Sequence, residues 1–238
     1  MAEGELKNKY IIWKNLGETP LEALNRLAVE LLIPKEVSLT YAGRLDPAAE
    51  GFLIILTGDE CKKKEDYTKL SKTYMAEFLI SVSTDSFDLL GIPSLGSEGK
   101  NILKKTGEYF DGHIGKFIQE YPKYSSPVLD GSKLTEHEVE LISYEDLSIE
   151  EILSEDVLVR VGEITASVTG DFRQAEIAQA WADLNLPEKM QLITVELKVG
   201  SGFYVRQFAQ DLGKVLGTGA CLYSLIRTKI GEYEKREY

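Results

Sequence analysis

The residues from Tyr41 to Gly58, YAGRLDPAAEGFLIILTG, constrain the fold more than any other stretch. Phe52–Leu56 is a short, unbroken apolar run, the pattern of a fully buried strand. Ahead of it, Gly43 allows a positive φ or a close backbone approach. Pro47 fixes its own φ and biases Asp46 away from the helical region. The chain must therefore turn sharply and then enter the core, with one acid held on the turn. A lone Asp before Pro is most often a turn residue that bonds its own backbone. A stiff turn at the edge of a core strand is equally a place for a side chain that must not wander.

The rest of the chain mixes strand and helix patterns without regular βαβ alternation, so the expected class is α+β with a mixed, largely antiparallel central sheet. Residues 10–13 read as a strand. Thr19-Pro-Leu-Glu22 is a capping box with Pro at the first helical position, and Leu21 to Leu32 follow at helical spacing up to Pro34. Residues 74–80 read as a strand and 83–88 as the turn after it. Residues 91–100 are expected to be loop, 101–118 helical with a break near Gly112, and 121–131 a Pro-rich loop. Leu134–Val139 could start a helix, Leu158–Val168 alternates like a strand, and Phe172–Leu184 is amphipathic. Strand 193–199, helix 205–216 closed by Gly217, and strand 222–230 complete the reading.

Composition narrows the function. No apolar run approaches the ~20 residues of a membrane span. Cys61 and Cys221 form neither a disulfide framework nor a Cys-x-x-Cys pair, so a cytoplasmic location is the default. His113 and His137 lie far apart without a ligand-like neighbourhood, so no metal is expected. The net charge of −12 argues against a polyanionic partner, because phosphate contacts need Lys and Arg. Distribution matters more than the total, however. Lys62, Lys63, Lys64, Lys69 and Lys72 follow the apolar strand, Arg44, Arg206, Arg227 and Lys229 sit near other motifs, and the acids gather in 136–156. A basic cleft on an acidic body and a plainly solvated charge run are both compatible with this pattern.

The central string resembles the nucleophile motif of pseudouridine synthases, and most closely the TruB family that acts on the T-loop uridine of tRNA. The family pattern H-x-G-x-L-D-P-x-A-x-G-x-L is matched at Gly43, Leu45, Asp46, Pro47, Ala49, Gly51 and Leu53. It is broken at Tyr41, where the family has histidine, and Arg44 is more typical of the RsuA and RluA families. Lys72-Thr-Tyr74 resembles the family's K-x-Y segment, whose tyrosine stacks on the target base, although a core Tyr would look the same. Asp88 matches a further family acid and is equally a turn residue. GSGFYVRQFAQDLG at 200–213 resembles G-T-Y-I-R-x-L-x-x-D-L-G. The resemblance makes Tyr204 a substrate-binding residue and Arg206 the partner of the nucleophilic acid; a guanidinium beside a carboxylate favours its charged form. Residues 217–231 resemble L-G-x-G-A-x-L-x-x-L-R-R-T-x-x-G, in which Leu225 lines the base pocket. Tyr121–Leu134 resembles the loop P-x-Y-S-A-x-K-x-x-G, with Ser126 and Val128 in place of Ala and Lys.

The resemblance covers residues 12–231. It implies the pseudouridine synthase fold in one catalytic domain over 1–238, with a thumb loop and helical insertion across 93–190. The chain leaves no room for the RNA-binding PUA domain that many members carry at the C-terminus. The implied activity is cofactor-free isomerisation of a uridine in RNA by a monomer. Asp46, Tyr74 and Arg206 would be catalytic, and Tyr41, Arg44, Lys72, Asp88, Tyr204 and Leu225 would bind substrate. An RNA chaperone of the same fold with little catalysis, or a synthase acting on ribosomal RNA, are the alternatives.

Overall fold

The computed structural model describes residues 6–125, 128, 129, 132, 133 and 135–236; of residues 128, 129, 132 and 133 it describes the backbone alone. The elements are β1 (Lys9–Lys14), α1 (Pro20–Glu30), β2 (Leu39–Ala42), β3 (Glu50–Thr57), a 3-10 turn (Gly58–Lys63), α2 (Lys64–Thr68), β4 (Lys72–Ile80), β5 (Val82–Thr84), β6 (Pro93–Leu95), α3 (Ile102–Asp111) and β7 (Gly115–Glu120). They continue with β8 (Val128–Leu129), β9 (Ser132–Lys133), β10 (Glu136–Leu153), α4 (Ser154–Ser167), α5 (Gln174–Ala182), β11 (Lys189–Val199), α6 (Val205–Leu216) and β12 (Ala220–Ile230). The class is α+β. An eight-stranded sheet runs β1-β3-β12-β4-β11-β10-β7, with β2 beside β3. Every pairing is antiparallel except β3 with β12.

That one parallel contact positions the site. It sets Gly51 against Arg227, so the turn entering β3 lies beside the last strand. Gly51 has φ +124°, and a Cβ there would stand 2.3 Å from the Arg227 carbonyl oxygen. Only glycine lets the two backbones meet this closely. Phe52–Leu56 is buried as its unbroken apolar run requires. The capping box at Thr19 forms as read: Glu22 N–H donates to the Thr19 hydroxyl, and Thr19 N–H to the Glu22 carboxylate. Helix α6 packs its Phe208, Ala209 and Leu212 onto Phe78, Phe110 and Leu197. Helices α4 and α5 cover another part of the sheet through Val157, Val161, Ile164, Ile177 and Trp181.

Four expectations are corrected. Residues 158–168 are not a strand but most of α4. The buried positions Val157, Val161 and Ile164 fall four and three apart, and the run of β-branched residues imitates strand alternation. Residues 136–139 open the 18-residue strand β10, not a helix; Leu134 lies outside the described residues. The acidic run that follows stays solvated on that strand, which pairs with β7 and β11 and has two register irregularities. The helical pattern over 101–118 stops at Asp111, and its second half is β7. The expected loop at 91–100 contains the short strand β6.

Candidate active site

The sheet, the Asp46 turn, α2 and the N-terminus of α6 line an open cavity of about 360 Å³. Nearly all the residues singled out by sequence line it: Tyr41, Arg44, Asp46, Lys72, Tyr74, Tyr204, Arg206 and Leu225. Asp88 does not line it and lies behind Arg206, 6 % exposed.

Asp46 is delivered by the turn between β2 and β3, and three connections fix that turn. Ala49 N–H closes on the Asp46 carbonyl at 3.0 Å, and Gly17 N–H reaches the Pro47 carbonyl at 2.9 Å. From β12, the Arg227 guanidinium gives Nη1 to the Arg44 carbonyl at 2.9 Å and Nε to the Phe52 carbonyl at 2.6 Å. Arg227 is wholly buried, and the same strand register sets it beside Tyr74. Sequence reading counted Arg227 only among the cations. Its signal was its place across from Gly51, which needs the sheet pairing to be known.

The Asp46 carboxylate meets Arg206 Nε at 2.9 Å through Oδ2; its side chain is 42 % exposed, against 8 % for Arg206. The contact is an ion pair by distance without the alignment of a hydrogen bond. Asp46 is thus held by charge, and part of its carboxylate faces the cavity. Arg206 Nη1 donates to the Ser86 carbonyl at 3.0 Å, which sets the guanidinium against the Asp88 turn.

Asp88 Oδ1 accepts the Ser86 hydroxyl at 2.7 Å and Leu90 N–H at 3.0 Å. Burial pushes the Asp88 carboxyl up to about 6; the Arg206 charge and the Ser86 hydrogen bond oppose the rise, and Asp46 adds to it. A raised carboxyl holds its proton more tightly in the folded state. Its contribution to stability is therefore full below the unfolded value of 3.8 and is lost as pH rises through about 6. Asp88→Asn keeps an oxygen acceptor for both donors without the buried charge. At about pH 7.5 this variant is expected to exceed the parent in stability by roughly 1–3 kcal/mol. The gain should vanish below about pH 4, and denaturant unfolding at the two pH values checks it.

Tyr74, on β4, is buried with its side chain on the cavity wall. Tyr204 is the residue before α6; its backbone N–H and C=O are both engaged by the Gln119 side chain, at 2.9 and 3.1 Å. Burial and the Asp46 charge raise the Tyr204 phenol above its ordinary range. Behind it His137 stacks on Tyr121 with ring centroids 4.0 Å apart and bonds the Gly202 carbonyl at 2.9 Å. His137 therefore braces the wall, a role its isolation in the sequence concealed. Leu222 and Phe203 add apolar lining that sequence reading missed.

The lysine run divides. Lys62 pairs with Asp59 at 2.6 Å and Lys63 with Glu60 at 3.0 Å, both on the 3-10 turn and away from the cavity. Lys64 alone of the three lines the cavity, its Nζ 5.5 Å from the Tyr41 ring centre. Lys72 points inward, its Nζ donating to the carbonyls of Thr68 and Leu70, and burial with the nearby Arg227 lowers it to about 8. The floor is closed by Ser201, whose hydroxyl donates to the Thr68 carbonyl at 2.8 Å. Ser126 lies outside the described residues, and Val128 stands in β8. Among the described residues no group of His, Cys, Asp and Glu could hold a metal ion, and no helix is long and apolar enough to cross a membrane.

The cavity brings together a partly exposed carboxylate, the buried guanidinium paired with it and a buried tyrosine, among apolar and charged side chains. Residues 33–168 match the TruB family pseudouridylate synthase (N-terminal domain). The chain is 30 % identical to a tRNA pseudouridine synthase B of Flavobacterium johnsoniae, over 94 % of this chain and 88 % of that one. It is 29 % identical to the corresponding protein of Endomicrobium trichonymphae, over 94 % and 85 %. Among solved structures it resembles a chain of a Cbf5-Nop10-Gar1 complex with a TM-score of 0.59 at 16 % identity, covering 95 % of this chain and 50 % of that one. A chain of an H/ACA RNP bound to a substrate RNA containing 2'-deoxyuridine is similar at a TM-score of 0.56 and 15 % identity, covering 95 % and 49 %. The chain spans about half the length of these two, and the likeness shows the fold. The chain belongs to the TruB family and is a pseudouridine synthase, an isomerase.

Proposed function

We propose that the chain converts a uridine in the T-loop of tRNA to pseudouridine, with Asp46 as the nucleophile. The observation that carries the reading is the Asp46–Arg206 pair: a partly exposed carboxylate in an open cavity, held by a guanidinium that is itself buried. The printed names of the tRNA-modifying relatives support the substrate class.

In this reading the uridine leaves its stack and enters the cavity, where Tyr74 stacks on the uracil and Leu225 and Tyr204 flank it. The Asp46 carboxylate attacks the ribose or the base as the bond from N1 to C1′ breaks. The uracil turns, C5 bonds to C1′, the bond to Asp46 breaks and returns its electron pair to the carboxylate, the C5 proton departs through Tyr74, and N1 takes a proton. Atoms and charge balance without a cofactor. Arg206 holds Asp46, and Asp88 balances Arg206 from behind. Tyr41, Arg44 and Lys72 complete the walls. Incubation with unmodified tRNA and with ribosomal RNA fragments, followed by mapping of pseudouridine, tests the substrate. Conversion only within ribosomal RNA would replace the T-loop assignment.

Phosphate contacts in this account come from Arg44 and Lys64. Among the described residues neither has a carboxylate within ion-pair distance, and both line the cavity mouth. RNA affinity should fall steeply with salt despite the net charge of −12. Lys64→Gln is expected to reduce the slope of log K against log salt by about one unit. Lys62→Gln, already tied to Asp59, should leave it unchanged. Filter-binding titrations across a salt series distinguish the two; equal slopes for both variants would count against the assignment.

A further inference from the structure

The turn that carries Asp88 begins with another acid, Asp85, which the proposed reaction does not use. Its Oδ2 accepts Arg173 Nη1 at 2.9 Å and the Tyr124 hydroxyl at 2.9 Å. Its Oδ1 accepts Arg173 Nη2 at 3.2 Å and Ile92 N–H at 2.8 Å. The Arg173 guanidinium also lies over the Tyr124 ring, 5.3 Å from its centre. One carboxylate thus joins three segments distant in sequence through a two-pronged arginine pair and a phenol, the strong and directional kind of contact. Burial alone would raise the Asp85 carboxyl, but the hydrogen bonds from Arg173, Ile92 and Tyr124 outweigh it and hold the group below the ordinary carboxylate range.

Arg173 stands on a firm support. It precedes α5 with φ +60°, a backbone state that a non-glycine residue adopts only where its surroundings impose it. Its N–H donates to Asp171 Oδ1 at 3.2 Å, and α5 behind it is anchored by Trp181, fully buried with its indole N–H on the Gly91 carbonyl at 3.1 Å. On the other side of the hub, Tyr124 is 50 % exposed; its hydroxyl is held by Asp85, and its ring lies 5.3 Å from both the Arg173 guanidinium and the Lys123 ammonium. Its neighbour Ser125 is buried and donates both N–H and hydroxyl to the Pro122 carbonyl, at 2.9 and 2.7 Å, and Tyr121 of the same turn packs edge-on against Tyr204 with ring centroids 5.8 Å apart. Tyr204 lines the cavity. The matched family segment, residues 33–168, ends before Arg173, so one half of this pair lies outside it.

We infer that Asp85 and Arg173 form a latch that holds Tyr124, and through it the Tyr121–Ser125 turn, against the Tyr204 wall of the cavity, making both positioning residues for RNA recognition. The helical pair α4–α5 is the anchor of that latch. The inference rests on the proposed RNA reaction for its kinetic consequences and on the geometry alone for its local ones.

The test has two arms. In T-arm RNA kinetics, Arg173→Gln and Tyr124→Phe are each expected to raise KM about tenfold while kcat stays within about twofold, and the double variant should be no worse than the worse single one. Arg173→Lys should not restore KM, because a lysine cannot present two parallel N–H groups to Asp85. In the RNA-free protein, hydrogen exchange at the amides of Tyr124 and Ser125 should be at least about tenfold faster in Arg173→Gln than in the parent. Additive effects of the two single variants, recovery by lysine, or unchanged exchange would each overturn the latch. If the parent turns over no RNA at all, the function proposed above fails, and the exchange arm alone decides the latch.

Discussion

Asp46→Asn is expected to lower kcat by on the order of 10⁴-fold or more, the scale on which a covalent nucleophile is lost. The amide is nearly isosteric, so the turn closed by Ala49, Gly17 and Arg227 should survive, while the charge attraction to Arg206 is lost. What disappears is the anionic oxygen that forms the bond. RNA affinity should change by less than about threefold, since the side chain is one of many on the wall. The measurement is single-turnover pseudouridine formation together with equilibrium RNA binding. Residual turnover within about a hundredfold of the parent, with deamidation of the Asn excluded, would remove Asp46 from the nucleophile's role.

The second large effect is expected at Arg206. The buried guanidinium spans two partners, Asp46 through Nε and the Ser86 carbonyl through Nη1. Arg206→Lys keeps the charge but cannot span both. If its ammonium follows Asp46, the link to the Asp88 turn is lost; if it follows Ser86, the nucleophile is unheld. We expect kcat to fall by about 10²- to 10³-fold, the usual scale for removing one preorganised charge contact, with KM changed only a few-fold. Arg206→Met should cost more, because it also leaves Asp88 buried without the cation that opposes its rise. A lysine variant retaining more than a tenth of parental kcat would show that the span is not needed.

Much of this site could be read from the chain because its parts are local. Asp46 owes its place to Gly43, Pro47 and the apolar run after Gly51, all within a dozen residues. Tyr74, Tyr204 and Arg206 sit at the starts of regular elements, where a short motif fixes side-chain direction. What escaped reading depends on pairings distant in sequence. Arg227 acquires its meaning from the β3–β12 register, His137 from the approach of β10 to the Gly200–Phe203 turn, and Asp85 from Arg173, 88 positions later. The division of the lysine run had a local signal: Asp59 and Glu60 lie three positions before Lys62 and Lys63, the spacing of one helical turn. The misread strand at 158–168 has a different cause. Its Val, Ile and Thr content suits a strand, and only the packing of α4 on the sheet selects the helical period.

The central claim is that this cavity isomerises uridine through Asp46. Its most direct test is tritium release from a T-arm RNA labelled at carbon 5 of uridine, followed by mapping of the modified position. Forming the new bond at C5 expels the label, so the account expects one tritium released per pseudouridine formed, confined to a single T-loop uridine and absent in Asp46→Asn. Release by the Asn variant at the parental rate, or no release from any uridine by the parent protein, would contradict it.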